Sequence, residues 1–214
     1  MNSLIGGLPE GWRSVPLGDL CEVIAGPGGA QSDQVGDQDN GVAVIAPRNI
    51  VDYRIKNENL RYVPMAVAGP LKRYRLRAAD VVCVRTGTLG RHALVGADQS
   101  GWLLGSGCLR LRSGPELLGG YLDFYLRHPE VLSWVLSRAN RTTIPSLNAR
   151  AFAATPVAVP PLESQREIVA TLEPLDRKLV LHERLAQATR DLREGVLRML
   201  LATDADSMPA RHEG

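Results

Sequence analysis

Arginine is concentrated in one part of this sequence, and the chemistry of its side chain suits contacts with a polyanion. Residues 48–112 carry ten Arg and two Lys against four acidic residues, whereas the whole 214-residue chain has a net charge of +2. The planar guanidinium group donates two parallel hydrogen bonds, which fits phosphate and the edge of guanine. The charge pattern alone leaves two interpretations open: a surface that binds nucleic acid, or an ordinary solvated surface.

Spacings typical of catalytic or metal-binding motifs are missing from the sequence. There is no P-loop, the segment A-G-P-G-G-A-Q fails the dinucleotide pattern at Gln31, and Ser106 does not lie in a G-x-S-x-G motif. The four His are scattered, and the three Cys form no C-x-x-C pair. We therefore predict reduced cysteines, no metal site and no catalytic site. An enzyme with an unrecognised site is the least favoured interpretation.

Up to about residue 160 the sequence predicts a mixed α+β fold with mostly short strands. Short apolar runs such as V-A-V-I and V-V-C-V are separated by Gly, Pro, Asp and Asn. Residues 25–41 have no apolar periodicity and predict a long loop. Apolar residues recur at helical spacing from Leu118 to Val135, which predicts two short helices, the second opening at Pro129.

After Pro161 the apolar spacing becomes that of a helix with one apolar stripe. Steps of four and three residues alternate, as in a heptad pattern that pairs one helix with another. Because Pro174 interrupts the pattern, we predict one helix over 163–173 and a longer one over 174–201. The side chains predicted to face a partner helix are Ile168, Leu172, Leu175, Leu179, His182, Leu185, Leu192 and Val196.

Three regions follow from these patterns. We predict a first domain over 1–160, a helical spacer over 161–203 and a disordered tail over 204–214. No apolar run reaches the roughly 18 residues of a membrane span, and the N-terminus lacks the pattern of a secretory signal. We therefore expect a cytoplasmic protein without a membrane partner.

Four segments together resemble the specificity (S) subunit of type I restriction–modification systems, specifically half of one. Residues 8–23 (L-P-E-G-W-R-S-V-P-L-G-D-L-C-E-V) resemble the start of a target recognition domain, and 76–95 contain the G-T-x-G-R element. Residues 141–178 contain P-P-L-x-x-Q-x-x-I running into a helix, and the apolar-striped helix resembles the conserved spacer. Ser164 departs from the Glu that is common before the Gln in this family.

The resemblance implies a mixed-sheet target recognition domain, followed by a long C-terminal helix of coiled-coil type. It also implies a sequence-specific DNA-recognition subunit without catalytic activity, which binds double-stranded DNA and a methyltransferase (M) subunit. A restriction (R) subunit is a further candidate partner. This chain would hold no cofactor, because S-adenosylmethionine is expected in the M subunit. Since such subunits carry two recognition domains, one domain implies a homodimer that reads a bipartite palindromic site.

Other interpretations remain beside this one. The chain could pair with a different half subunit rather than with its own copy. It could also act as a non-catalytic scaffold or regulator, which assembles with modification subunits without directing site-specific methylation.

Candidate DNA contacts come from residue type and context within the basic clusters. Arg suits guanine, Asn suits adenine, and Thr suits phosphate. In a strand, Arg73, Arg75 and Arg77 would share one face, although any single residue could equally be a surface or turn residue. The predicted DNA contacts are Arg48, Asn49, Arg54, Lys56, Lys72, Arg73, Arg75, Arg85, Thr86, Thr88, Arg91, Arg141, Thr142 and Thr143.

Overall fold

A computed structural model describes residues 3–28, 40–140 and 143–202 of the chain. The strands in these ranges are β1 (Arg13–Pro16), β2 (Cys21–Ala25), β3 (Gly41–Ile45), β4 (Ile50–Val51), β5 (Arg54–Ile55), β6 (Arg61–Pro64), β7 (Val81–Val84), β8 (His92–Leu94), β9 (Leu103–Leu104), β10 (Cys108–Ser113) and β11 (Pro156–Val159). The helices are α1 (Leu17–Leu20), α2 (Met65–Ala68), α3 (Gly119–Leu126), α4 (Pro129–Ser137), α5 (Ala149–Ala153) and α6 (Leu162–Ala202).

The central antiparallel sheet has the order β2-β10-β7-β8 and is buried on both faces. In β7, Val81 and Cys83 join one hydrophobic cluster, while Val82 and Val84 join another. Successive side chains of a strand point to opposite faces. The uninterrupted apolar run V-V-C-V therefore fits a strand with a core on each side.

A second sheet, β6-β3-β9, is mixed. Strand β3 pairs antiparallel with β6 and parallel with β9. Val44, Val63 and Leu103 from this sheet pack with Leu71 in a third cluster. The predicted α+β fold with mixed sheet pairing and a long C-terminal helix is confirmed.

Strand β11, which leads into α6, is held by β1 near the N-terminus and by helix α3. Strand β1 pairs antiparallel with β11, and α4 opens at Pro129 as predicted. The hydroxyl groups of Tyr121 and Tyr125 in α3 donate to the β11 carbonyls of Ala158 (2.6 Å) and Pro156 (2.9 Å). These bonds fix the strand that leads into the long helix.

Gln165 ties the first turn of α6 to its surroundings. The side chain is fully buried, and its Nε2 donates to the carbonyls of Glu116 and Pro160, both at 2.9 Å. Its Oε1 accepts from the Leu118 N–H at 2.8 Å. The Gln of the P-P-L-x-x-Q segment thus joins three backbone positions that would otherwise be buried without partners.

Helix α6 continues without a break from Leu162 to Ala202 with Pro174 inside it, so the prediction of two helices is wrong. Pro174 has no N–H, which leaves the Ala170 carbonyl without its intrahelical donor. Both residues are exposed, so water can supply the missing hydrogen bond. The loss of one bond at a solvated position does not end the helix.

The chain divides into two compact units, Met1–Val169 and Ala170–Gly214. In the second unit, the side chains of residues 181–201 are all exposed. The predicted tail over 204–214 lies outside the described residues. Within the described ranges, no helix has the length and apolar character needed to cross a membrane.

Candidate nucleic-acid interface

Several predicted DNA contacts meet at one end of the central sheet. The register pairs Ala25 with Leu109, Val84 with Cys108, and Cys83 with His92. The loop after β2, the β7–β8 turn and the loop before β10 therefore emerge side by side. The turn after β3 joins them, because the Gly105 N–H donates to the Ile45 carbonyl at 2.9 Å. We call this region the loop end; it comprises residues 26–28, 46–49, 85–91, 105–107 and 143–147.

The β7–β8 turn at the loop end carries Arg85 and Arg91. Gly87 and Gly90 in this turn have φ of 89° and 87°, which side chains with a Cβ rarely adopt. In the described part of the chain, neither arginine has an acidic partner, and the Nε atoms of both are buried without a hydrogen bond. The predicted contacts Thr86 and Thr88 lie between them, Thr86 half-buried and Thr88 exposed.

The thiol of Cys108 lies near both arginines without neutralising them. The two positive charges favour the thiolate, but burial outweighs them and raises the pKa of Cys108 to about 12. The thiol is therefore neutral at pH 7. Positive charge held without a counter-charge at a partly open position is the electrostatic condition for binding a phosphate.

The loop before α5 packs against this turn. The Gly87 N–H donates to the Pro145 carbonyl at 2.9 Å, and the Leu147 N–H donates to the Arg85 carbonyl at 2.8 Å. The structure therefore brings the predicted contact Thr143, which is exposed, to the same end as the β7–β8 turn. Arg141 and Thr142 lie outside the described residues, so their predicted contacts stay predictions.

Two predicted DNA contacts, Arg48 and Asn49, lie in the 3₁₀ turn Pro47–Asn49, and their side chains differ in exposure. Arg48 is exposed. Asn49 is 1% exposed; its Oδ1 accepts from the Ala46 N–H at 3.1 Å, and its Nδ2 donates to the Glu58 carbonyl at 3.0 Å. The Asn49 carboxamide is therefore already used to hold its own turn, in place of the predicted adenine contact.

Arg54 and Lys56 lie on the short β4–β5 hairpin, beside the loop end. Asp52 and Tyr53 at its tip have φ of 49° and 58°, as a two-residue hairpin turn requires. The Arg54 Nε donates to the Asp52 carbonyl at 3.2 Å, and the Lys56 N–H donates to the Asn49 carbonyl at 2.7 Å. Both side chains are half-buried, which leaves part of each available to a ligand.

Lys72, Arg73 and Arg75 form a second basic group, away from the loop end. Lys72–Tyr74 is a 3₁₀ turn rather than a strand, so the predicted shared face of Arg73, Arg75 and Arg77 is wrong. Lys72 and Arg73 are exposed, while the Arg75 guanidinium donates to the Gly101 carbonyl at 2.9 Å. Arg75 is thus engaged within the protein, and the Arg73 guanidinium lies 4.7 Å from the centre of the Tyr74 ring, although Arg73 and Lys72 are both exposed.

Two arginines of the basic segment are internal and hold that turn. Arg110 is 1% exposed; its guanidinium donates to the Arg73 carbonyl at 2.8 Å and contacts Glu22 at 2.6 Å. Arg112 binds both carboxylate oxygens of Asp80, at 2.8 and 2.7 Å. Both belong to the framework, so the basic surface is smaller than the composition of residues 48–112 indicates.

A buried polar cluster that the sequence did not reveal lies directly beneath the β7–β8 turn. His92 is 3% exposed; its Nε2 lies 3.0 Å from the Asp123 carbonyl, and its Nδ1 lies 3.3 Å from the Gly90 carbonyl. The Asp123 carboxylate pairs with Arg127, and the Tyr53 ring lies 5.1 Å from the His92 ring. Burial lowers the pKa of His92 despite the nearby Asp123, so the imidazole is neutral at pH 7. The only sequence signal was a polar residue within a short apolar strand.

The residues predicted to face a partner helix fall into two groups. Ile168 and Leu172 are half-buried, and Ile168 packs against the core of the first unit. The others, Leu175, Leu179, His182, Leu185, Leu192 and Val196, are exposed. Within the described residues, their apolar stripe has no partner.

The chain combines a mixed α+β fold, built on three hydrophobic clusters, with a basic loop end. Among the described residues, no group of His, Cys, Asp or Glu could hold a metal ion. Residues 9–189 match the family described as "Type I restriction modification DNA specificity domain", and the chain belongs to this family.

Named relatives agree with that assignment. The chain is 24% identical over 178 residues to the EcoBI specificity subunit of Escherichia coli, covering 78% of this chain and 35% of that protein. It is 25% identical over 203 residues to the putative MjaX specificity subunit of Methanocaldococcus jannaschii, covering 92% and 47% respectively. The crystal structure of the HsdS subunit from Thermoanaerobacter tengcongensis matches with a TM-score of 0.61 at 22% identity, over 84% of this chain and 40% of that chain. The chain thus spans less than half the length of each.

Proposed function

We propose that this chain reads a DNA sequence for a type I modification complex and itself catalyses no reaction. The observation that carries the proposal is the meeting of several loops at one end of a rigid sheet, where Arg48, Arg85 and Arg91 have no acidic partner among the described residues. Because loops held by a rigid scaffold keep their side chains in fixed positions, they suit specific recognition. The family to which the chain belongs supports DNA as the ligand.

The chemistry of the loop end suits duplex DNA. Arg85 and Arg91 flank one tight turn, and Arg48 and Thr143 extend the same end. Arginine donates to phosphate oxygens and, in the major groove, to the N7 and O6 atoms of guanine. Phosphate contacts would set the register of the duplex, and the remaining side chains would read bases.

The exposed apolar stripe of α6 supports pairing between two chains. Leu175, Leu179 and Leu185 are 56%, 59% and 65% exposed. A helix that leaves leucines in water at heptad-like spacing is typical of a helix that pairs with another. Two copies joined by a twofold axis would present two recognition units, and the site they read would be bipartite and palindromic.

The same helices would bind the methyltransferase subunit, which would supply S-adenosylmethionine and the methyl-transfer site. The chain's span of 35% and 47% of its relatives' lengths supports the idea that two copies do what one longer subunit does. A restriction subunit would join where the complex also cleaves DNA. A cytoplasmic location follows from these partners.

Methylome sequencing tests the proposal. Cells lacking endogenous adenine methylation would express the cognate methyltransferase subunit with or without this chain. The expected result is one methylated motif with two inverted halves, present only when both proteins are expressed. Assembly of the two proteins without any methylated motif would contradict the proposal and favour a scaffold or regulator. Pairing with a different half subunit would instead give a motif with two unrelated halves, and only when that second half subunit is co-expressed.

A further inference from the structure

Three glycines allow separate segments of the loop end to converge on one short loop, Gly105–Gly107. A Cβ on Gly26 would lie 1.9 Å from the Gly105 carbonyl oxygen, and one on Gly105 would lie 2.5 Å from the Ile45 carbonyl oxygen. A Cβ on Gly107 would lie 2.6 Å from the Pro47 ring. Since no side chain fits at these places, Ser106 carries the only side chain of the loop, and it is exposed.

The loop presents hydrogen-bond donors that the described protein does not use. The Gly105 N–H donates to Ile45, and the Cys108 N–H donates to Gly105, but no acceptor is recorded for the N–H groups of Ser106 and Gly107. Two successive amides without an acceptor, in a turn closed by the Cys108–Gly105 hydrogen bond, leave two donors available to an anion. The Ser106 hydroxyl group adds a third donor beside them.

A positive charge is attached directly to this loop. The Arg85 N–H donates to the Gly107 carbonyl at 2.9 Å, which fixes the arginine backbone against the loop. The Nε of Arg85 is buried without a partner. The amide donors and Arg85, whose guanidinium has no acidic partner among the described residues, therefore lie on two backbone segments that are hydrogen-bonded to each other.

We propose that the loop Gly105–Gly107 is a phosphate-binding site for duplex DNA, in which the Ser106 hydroxyl and the N–H groups of Ser106 and Gly107 hold one backbone phosphate. The proposal rests on the function proposed above and adds a contact that the charge pattern did not indicate. Amide and hydroxyl donors match the oxygens of a phosphate and carry no base preference. The loop would therefore set the register of the duplex against the arginines of the β7–β8 turn.

Ser106→Asp tests the proposal by placing a carboxylate where the phosphate would lie. The probe is a fluorescent duplex of mixed sequence, titrated with the full chain at a series of salt concentrations. We expect affinity to fall by about tenfold or more, and the slope of log K against log salt to become shallower by about one, because the added carboxylate offsets one positive charge that neutralises phosphate. Ala78→Asp is the matched control, because Ala78 is exposed, the change of charge is the same, and the length of β7 separates it from the β7–β8 turn. Its affinity should stay within about twofold of wild type, as for a change away from the interface.

Thermal melting followed by circular dichroism checks that each variant is folded. If Ser106→Asp unfolds, Ser106→Ala decides instead, with an expected loss of about tenfold or more for one hydrogen bond to a charged phosphate and an unchanged salt slope. A folded Ser106→Asp chain with wild-type affinity and salt slope would overturn this site alone, leaving the proposed function intact. Failure of the wild-type chain to bind the duplex at low salt would overturn both.

Discussion

Arginines with the same charge serve opposite purposes in this protein, depending on what each one touches. Arg110 and Arg112 are paired with Glu22 and Asp80 and hold the backbone of the preceding 3₁₀ turn. Arg85 lacks an acidic partner in the described structure and sits at the loop end. The first kind contributes to stability and the second is available to a ligand, so replacing them should have different consequences.

Replacing Arg85 tests that distinction. Arg85→Gln should weaken binding to duplex DNA by about tenfold and lower the salt slope by about one, because one phosphate contact is lost. Arg13→Gln is the matched control, since Arg13 is an exposed arginine paired with Glu116. Fluorescence anisotropy at several salt concentrations measures both quantities. Equal effects of the two substitutions would show that only net charge matters.

The buried His92 predicts a dependence of stability on pH. Its pKa is lowered from the usual 6.5 by burial, and the charged groups near it are Asp123 of α3 and Arg127, which follows α3. The Tyr53 ring of the β4–β5 hairpin also lies beside it. Below about pH 6.5 the unfolded chain takes up a proton that the folded chain excludes. Stability should therefore fall as pH drops towards the folded pKa, by at most about 1.4 kcal/mol per pH unit.

Urea unfolding at a series of pH values measures this effect. His92→Gln should make the curve flatter between about pH 6.5 and 5, the range in which an ordinary histidine titrates. His128→Gln is the control, because His128 is exposed. Identical pH curves for wild type and His92→Gln would contradict the assignment.

At the residue scale, the sequence predicted the types of side chain better than their roles. Segment 48–112 was correctly identified as rich in arginine, but the pairing of Arg110 with Glu22 spans 88 positions. No local pattern reveals such a partner. The partner of Asn49 is likewise not visible in the sequence, so Asn49 was predicted to read adenine. The β4–β5 hairpin brings the Glu58 carbonyl close to the Asn49 carboxamide, which donates to it.

At the scale of elements, the start of α6 is fixed by a buried amide rather than by the two prolines alone. Pro160 and Pro161 end β11, since they cannot continue strand pairing. Gln165 then satisfies three backbone groups from two other segments. These three hydrogen bonds explain why the P-P-L-x-x-Q segment has Gln at position 165. The apolar periodicity of the helix does not require a Gln there.

Gln165→Ala should destabilise the fold strongly. Removing the carboxamide leaves the Leu118 N–H and the carbonyls of Glu116 and Pro160 buried without partners, at a cost of about 3 kcal/mol. Glu163→Ala is the control, because Glu163 is an exposed residue of the same helical turn. The free energy of unfolding in urea gives the comparison. A loss below about 0.5 kcal/mol, the usual range for surface positions, would show that Gln165 is not a structural anchor.

The apolar stripe of α6 makes a prediction about self-association. Leu185→Lys should convert a dimer into a monomer, because a charge in a helix–helix seam is buried without a partner. The fold should survive, since Leu185 is exposed in the single chain. Gln187→Lys adds the same charge off the stripe and should remain dimeric. Light scattering at several concentrations gives the masses, and a wild-type monomer or a dimeric Leu185→Lys chain would contradict the pairing.

Elements with strong local signals were predictable, whereas those set by tertiary contacts were not. The helix opening at Pro129 and the long C-terminal helix follow from caps and periodicity. The 3₁₀ turn Lys72–Tyr74 was mistaken for a strand, because distant side chains hold its backbone. Arg110 donates to the carbonyl of Arg73, 37 positions away, and Arg110 and Arg112 both donate to the carbonyl of Arg75 just after the turn. Helix α6 continues through Pro174 because the Ala170 carbonyl, which loses its donor there, is exposed to water. The sequence alone does not reveal that exposure.

At the scale of the whole molecule, the basic loop end and the exposed apolar stripe lie in separate compact units. The first unit holds the three hydrophobic clusters and the loop end, and the second presents an apolar helical stripe. In the proposed function, the loops could therefore change without altering the helical surface that would pair with a second copy.

The most direct test of the account compares the methylomes directed by wild-type and altered recognition loops. The cognate methyltransferase subunit would be expressed with the wild-type chain, with the Arg85→Gln/Arg91→Gln chain, or with Arg13→Gln. We predict one motif with inverted halves for wild type and Arg13→Gln, and loss of methylation at that motif for the double variant despite normal assembly. Unchanged methylation of the same motif by the double variant would show that the loop end does not read DNA.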